Sequence, residues 1–241
     1  MNSNEKFIHD NFYSMTLNLN NLWMYQIRKN IYNSFKENVN HFNGIVIDLG
    51  CGIMPYKKII LENKNVKKYI GIDLEQPTYY EVIKPDLTWD GKKIPFDDNT
   101  IDCILATEVL EHCYEPSNLL KEVRRVLKPN GVFFCTVPFI WHLHETPFDH
   151  YRYTPFSLKK KLEDAGFNTI EIKALGGWDS ALSQLLGLWV TNRPMKRIYK
   201  SILLRVVRVI IKKLEKSDIK PSSFNNKENS MISGLSALCY K

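Results

Sequence analysis

Val46-Ile47-Asp48-Leu49-Gly50-Cys51-Gly52 runs from a short apolar stretch into a turn bracketed by two glycines. KKIILEN, residues 57–63, then takes up helical patterning. Strand, glycine turn and helix in that order are the opening of an α/β unit. The glycines permit positive φ and let a ligand come close to the backbone. Pro55 and Tyr56 stand where G-x-G-x-x-G has its third glycine, which weakens a pyrophosphate cradle. About twenty residues on, Ile70-Gly71-Ile72-Asp73-Leu74 puts an acid at the end of the next apolar run. Such an acid is placed to accept hydrogen bonds from a ribose diol; the plainer alternative is a solvated strand-end aspartate.

Outward from this turn the same alternation continues. Residues 17–38 carry Leu19, Leu22, Trp23, Ile27, Ile31 and Phe35 at helical spacing and predict a leading helix. Apolar runs at Tyr69–Ile72, Ile101–Ala106 and Val132–Val137 predict strands. Pro116–Leu127 predicts a helix, stopped by Pro129-Asn130-Gly131. Pro155–Ala165 predicts another, ended by Gly166, before strands at Phe167–Ala174 and Leu235–Tyr240. The stretch 176–232 is far longer than a hairpin needs. It holds two helical segments, 179–190 and 195–215, then the polar tract KSDIKPSSFNNKENS, which reads as a loop or linker. Three parts are expected: an N-terminal helical segment 1–43, a ligand-binding α/β domain of 44–175 and 233–241, and the helical insertion 176–232.

Composition narrows the function classes. An apolar share of 44% excludes a disordered chain. The five cysteines form no C-x-x-C pair and match no zinc module, so no metal site is expected and the thiols read as reduced. With no signal-peptide pattern and no apolar run of about 18 residues, the expected location is cytoplasmic. The net charge is +7, yet Arg193 to Lys220 alone holds ten Lys and Arg against two Asp and Glu. The basic character therefore belongs to one segment.

Further motifs follow in order: Pro85-Asp86-Leu87-Thr88, Ile94-Pro95-Phe96-Asp97-Asp98-Asn99-Thr100-Ile101-Asp102, Thr107-Glu108-Val109-Leu110-Glu111-His112 and L-K-P-N-G-V-F from Leu127. Taken with D-L-G-C-G and I-D-L, the series resembles the class I S-adenosylmethionine-dependent methyltransferases of the broad type 11 family. The resemblance covers about residues 44–137 and weakens towards 175. It implies a Rossmann-like seven-stranded mixed sheet with helices on both faces, an antiparallel last strand and a helical insertion before it. It also implies S-adenosyl-L-methionine as cofactor. Asp48, Gly50 and Gly52 would line its methionine and ribose part, and Asp73 would bind the ribose hydroxyls with Leu74 against the adenine. Asp86 would face the adenine amino group with Leu87 near the ring. Thr107 would lie beside the cofactor, with Glu108 and His112 nearby; helix capping and packing is the bland alternative for Glu111-His112.

Methyl transfer from a sulfonium needs alignment and exclusion of water, and a base only when the acceptor must lose a proton. The acceptor-side residues are sought in Trp141–Thr154, which follows the fifth strand, because open α/β sheets bind ligands at that edge. Its H-E-x-P-x-D-x-Y-R-Y-T pattern is similar to type 11 enzymes acting on small molecules or glycans. His144 is the expected base, with His142 or His150 as alternates. Asp149 would orient a histidine or bind a hydroxyl, and Arg152 would bind an anionic acceptor. A structural Asp149–Arg152 pair is the alternative.

In 195–215, Arg197, Arg205, Arg208 and Lys212 recur at helical spacing beside an apolar face. This basic amphipathic helix suits peripheral contact with an anionic membrane, or docking on the domain or a second subunit. The expected function is methylation of a small molecule, sugar, or glycan- or lipid-linked precursor. RNA methylation and a non-catalytic S-adenosylmethionine-binding module are the alternatives. Nucleic acid is disfavoured by near-neutral charge elsewhere, and by Ala106-Thr107-Glu108-Val109 where adenine amino-methylating enzymes resemble [DN]-P-P-[YF].

Overall fold

The computed structural model describes residues 3–75, 83–225 and 230–241. Part of the polar tract at 216–230 lies outside them. Among the described residues, seven strands form one sheet: Gly44–Leu49 (β1), Val66–Leu74 (β2), Leu87–Trp89 (β3), Ile101–Thr107 (β4), Leu127–Pro138 (β5), Thr169–Ala174 (β6) and Gly234–Tyr240 (β7). Their order is β3-β2-β1-β4-β5-β7-β6. Val46, Ile47, Ile72, Ile104, Leu105, Phe133 and Phe134 are all buried. Unbroken burial along the strands is what a parallel sheet covered on both faces requires. Val46 faces Tyr69 on one side and Cys103 on the other, both in parallel register. Cys103 in turn faces Val132.

β7 runs the other way. Asn130 and Lys241 join at one end of the β5–β7 seam, and the amides of Phe139 and Ile140 donate to Ser233 O at the other. Rising numbers on one strand meet falling numbers on its partner, so the pair is antiparallel. The expected mixed seven-stranded sheet is thus present, with the helical stretch between β6 and β7.

The chain divides into two compact units, one made of the residues up to Ser34 with Pro138–Leu143 and Lys173–Leu235, the other of Phe35–Val137, His144–Ile172 and Ser236–Lys241. In the second unit lie helices Lys57–Glu62 (α3), Pro116–Val126 (α4) and Pro155–Asp164 (α5), with most of the sheet. α4 buries Leu119, Leu120, Val123 and Val126, one stripe at helical spacing. α5 opens with a reciprocal cap: Ser157 N donates to Thr154 Oγ1 at 3.1 Å, and Thr154 N donates to Ser157 Oγ at 3.0 Å. Asp102, the last acid of the I-P-F-D-D-N-T-I-D run, is structural. It accepts from Ile45 N at 2.8 Å and Lys128 Nζ at 2.7 Å. A Cβ on Gly44 would lie 2.2 Å from its carboxylate, so glycine stands there at φ +58°.

Two local differences from the sequence reading have physical reasons. Pro129-Asn130-Gly131 does end α4, but it belongs to β5, which starts at Leu127. The register shifts between Ile101 and Cys103, and Asn130 takes φ +63°, so this stop is a bulge inside a strand. β3 has only three residues and no alternation to betray it; pairing of Ile72 with Leu87 and Leu74 with Trp89 defines it.

The first unit is helical: Ser3–Ile8 (α1), most of Leu22–Asn38 (α2), Trp178–Asn192 (α6) and Arg197–Ser217 (α7). Leu17, Leu22, Tyr25, Val190, Val207 and Ile211 make its core. α6 approaches the start of α2 so closely that a Cβ on Gly187 would sit 2.1 Å from Leu22 O. Buried amides complete the contact: Gln184 accepts from Ile27 N at 3.0 Å and donates to Trp23 O at 2.6 Å. Only Val207 and Ile211 of α7 are fully buried, while Ile198, Ile202, Val206 and Val209 form an exposed apolar stripe. α6 exposes a second stripe of Trp178, Leu182, Leu185 and Trp189. Among the described residues, no helix is long and apolar enough to cross a membrane.

Candidate active site

The glycine turn leaves β1 with Gly50 at φ +67° and Gly52 at φ +49°. The two glycines are needed for different reasons. A Cβ on Gly50 would strike Val109 at 2.6 Å, whereas one on Gly52 would meet nothing within 4 Å. Space beside a left-handed glycine is what close ligand approach to the backbone requires. Asp73 ties the turn down: its Oδ2 accepts from Gly52 N and its Oδ1 from Leu74 N, each at 2.7 Å. Burial raises the Asp73 pKa, and the two amide bonds oppose that. Each oxygen keeps a second lone pair for a further donor. Leu74 and Leu87, on paired strands, are large apolar side chains left exposed. The space at Gly52, the tethered acid and these apolar side chains fit a nucleoside-bearing cofactor.

Asp48 is buried and accepts the Tyr69 hydroxyl at 2.5 Å. Burial pushes its pKa up to about 7 against the pull of that bond. Tyr69 was not among the residues expected at the site; its register opposite Val46, two residues before Asp48, is a tertiary fact. Asp86 is exposed; it accepts from Gly71 N at 2.8 Å and pairs with Lys57 Nζ at 3.2 Å. Thr107 ends β4 opposite Thr136.

Beyond β4 the backbone is unusual. Glu108 has φ +54°, as Met54 (+53°) and Glu145 (+48°) do elsewhere in this unit. Left-handed backbone at non-glycine residues costs free energy and gathers at functional sites. Glu108 N donates to Thr136 O at 3.0 Å, and its Oε1 accepts the Thr136 hydroxyl at 2.8 Å. Burial pushes the Glu108 pKa up to about 7, opposed by the Thr136 hydroxyl and by Arg152. Glu111 is 0% exposed, and neither of its carboxylate oxygens has a hydrogen-bond partner. No capping hydrogen bond reaches the Glu111 carboxylate, while its burial agrees with the packing part of that alternative. Burial, with Glu108 nearby, raises its pKa well above the usual carboxylate range.

The segment after β5 brings the three expected acceptor-side residues together. The Asp149 side chain is 2% exposed and receives Arg152 in a fork, 2.6 Å to Oδ1 and 2.8 Å to Oδ2. The same carboxylate meets the His144 backbone N at 3.1 Å and its Nδ1 at 3.2 Å. The Arg152 fork holds the Asp149 carboxyl far below its ordinary pKa. Burial and the neighbouring His112 lower the His144 pKa, with Asp149 opposing. The His112 and His144 rings meet edge to face at 4.6 Å. His150 lies apart from this group, its ring against Tyr114 and its amide donating to Glu111 O. His142 belongs to the first unit, beside Trp141.

Residues 47–135, which hold the glycine turn, Asp73 and Glu108–His112, match the methyltransferase domain family model. Over those residues the chain is similar to a methyltransferase domain. Its sheet order and antiparallel β7 are those of the class I S-adenosyl-L-methionine-dependent methyltransferases. The sterol 24-C-methyltransferase of Gibberella zeae is 32% identical over 99 residues, covering 36% of this chain and 26% of that protein. The mitochondrial 2-methoxy-6-polyprenyl-1,4-benzoquinol methylase of Dictyostelium discoideum is 25% identical over 130 residues, covering 40% of this chain and 41% of its own length. The match thus spans less than half of either relative. A methyltransferase of Archaeoglobus fulgidus described as S-adenosylmethionine-dependent superposes with a TM-score of 0.56 at 16% identity, over 98% of this chain and 99% of that one; it shares the fold. The matched residues lie wholly in the second compact unit.

Proposed function

We propose that the chain transfers a methyl group from S-adenosyl-L-methionine to a small acceptor, one carried by or dissolved in lipid. The observation that carries the first half is the open face of Gly52 beside the tethered Asp73, within a methyltransferase domain. Asp48, Gly50 and Gly52 line the methionine and ribose part, and Asp73 accepts from the ribose hydroxyls. Leu74 and Leu87 flank the adenine, with Asp86 at its amino group. Thr107, Glu108 and His112 border the methyl-bearing end. When bound, the cofactor supplies an electrophilic methyl on a sulfonium.

The chain's own contribution on the acceptor side is orientation and proton removal. Asp149 holds the His144 ring through Nδ1, which leaves Nε2 as the proton-accepting nitrogen. The lowered His144 pKa keeps the imidazole neutral near pH 7, as a base must be. Arg152, already anchored on Asp149, completes the constellation.

A lipid-borne acceptor is supported by the exposed apolar stripes of α6 and α7, by the basic residues of α7, and by the sterol and polyprenyl-quinol names of the two relatives. The test is incubation with methyl-labelled S-adenosyl-L-methionine and fractionated extract. Label is expected in a lipid-extractable small molecule. Label in RNA alone, or in no fraction, would overturn this reading.

A further inference from the structure

We propose that Glu111, His112 and His144 form a binding site for one divalent transition-metal ion of the zinc class, with Glu145 as a fourth, exchangeable ligand. One donor atom from each of the first three lies within 4.8 Å of the others. His112 Nε2 is 3.8 Å from Glu111 Oε1 and 3.9 Å from Glu145 Oε2. Nitrogen and oxygen ligands of a tetrahedral ion, about 2.0–2.2 Å from it, stand roughly 3.3 Å apart. Side-chain rotation about an ion closes that difference.

Two further observations point to a cation. Glu111 is buried, and neither carboxylate oxygen has a hydrogen-bond partner. A buried carboxyl group in that condition is costly, and a coordinated ion satisfies it. Both histidines are also oriented from behind. His112 Nδ1 lies 3.2 Å from Phe148 O, and His144 Nδ1 lies 3.2 Å from Asp149 Oδ2. Those acceptors select the Nδ1–H tautomer, which puts the lone pair on Nε2, the arrangement that backs metal-binding histidines. Arg152 fixes Asp149 in its turn. Two imidazoles with one or two carboxylates favour zinc, cobalt, iron(II) or manganese over magnesium and calcium.

The site stands on this geometry and not on methyl transfer. Its consequence does rest on that reading: a cation here would acidify an acceptor hydroxyl, whose proton would pass to solvent water, and His144, with its Nε2 on the ion, would no longer serve as base.

The test uses the full chain stripped by chelator and titrated with Co²⁺, followed by its visible absorption and then by displacement with Zn²⁺. One equivalent is expected. His112→Ala and His144→Ala should each weaken binding by about 100-fold or more, and Asp149→Asn by about 10–100-fold, while His150→Ala binds as the parent does. Circular dichroism checks that each variant is folded; His112 is partly exposed where Glu111 is fully buried, so its variant keeps the test usable if a Glu111→Gln protein does not fold. Absence of a cobalt spectrum in the parent, or parent-like affinity in both histidine variants, would overturn the site. S-adenosyl-L-methionine binding by the metal-free protein reports separately on the methyltransferase reading.

Discussion

Asp73 is the residue at which turn geometry and cofactor chemistry meet, and its replacement separates them. In the cofactor-free protein its two oxygens accept from Gly52 N and Leu74 N, each at 2.7 Å. Asp73→Asn keeps the shape, yet its NH₂ must then face one of those two N–H groups. One charge-assisted bond becomes a donor-against-donor contact, and the other loses its charge. A hydrogen bond to a charged group contributes about 1.5–3 kcal/mol, so the variant should unfold about 1.5–3 kcal/mol more easily in urea. Bound ribose hydroxyls lose the same charged acceptor. Weakening by about 1–3 kcal/mol raises the dissociation constant roughly 5- to 150-fold, since 1.4 kcal/mol is a factor of ten. Urea titration of the cofactor-free variant measures the first effect, and calorimetry with S-adenosyl-L-methionine measures the second. A folded Asp73→Asn protein with a dissociation constant within about twofold of the parent's would refute the placement of the ribose at this carboxylate.

Three other perturbations probe different parts of the molecule. The Asp48 pKa rises from 3.8 to about 7 on folding, so the folded state holds its proton longer and stability falls as pH rises across that window. Asp48→Asn lacks the titration, and cofactor-free urea melts should show it gaining on the parent between pH 4 and 7, by up to about 4 kcal/mol; parallel profiles would refute the cause. Asp149→Asn removes the anion that Arg152 and His144 share. It should cost about 2–3 kcal/mol in denaturant, less than a fully buried pair because Arg152 is partly exposed, and should depress methyl transfer more than S-adenosyl-L-methionine affinity. Equal losses in both would place it on the cofactor side. Changing Arg197, Arg205, Arg208 and Lys212 together to Gln should weaken flotation with anionic liposomes, since each well-placed cation contributes about 1 kcal/mol and the attraction falls with salt. A parent that ignores such liposomes would leave the exposed stripe of α7 to a protein partner.

Much of this was legible because α/β patterning is local. The apolar run of β1, the glycines after it and Asp73 about twenty residues on all announce themselves in sequence. α6 and α7 fall within two residues of their expected ends for the same reason. β3 was not legible, since three residues carry no period and exist as a strand only through β2. The bulge at Pro129–Gly131 could be read only as a stop, because the residues that pair in and beside it, Lys241 with Asn130 and Gly131 and Ile101 with Leu127, lie far off in the chain. His144, Asp149 and Arg152 were legible as a crowded segment, and their hydrogen bonds are mostly local. The meeting of Glu111 and His112 with His144 was not. It depends on two parallel strands, β4 and β5, delivering their carboxyl ends to one edge. The sequence holds one clue: a Glu-His pair soon after one strand and a His-Glu pair soon after the next.

Titration of the purified chain with S-adenosyl-L-methionine in a calorimeter tests the central claim most directly. One saturable site per chain is expected, competed by S-adenosyl-L-homocysteine and weakened in the Asp73 variant. A folded parent that takes up no S-adenosyl-L-methionine would contradict the account.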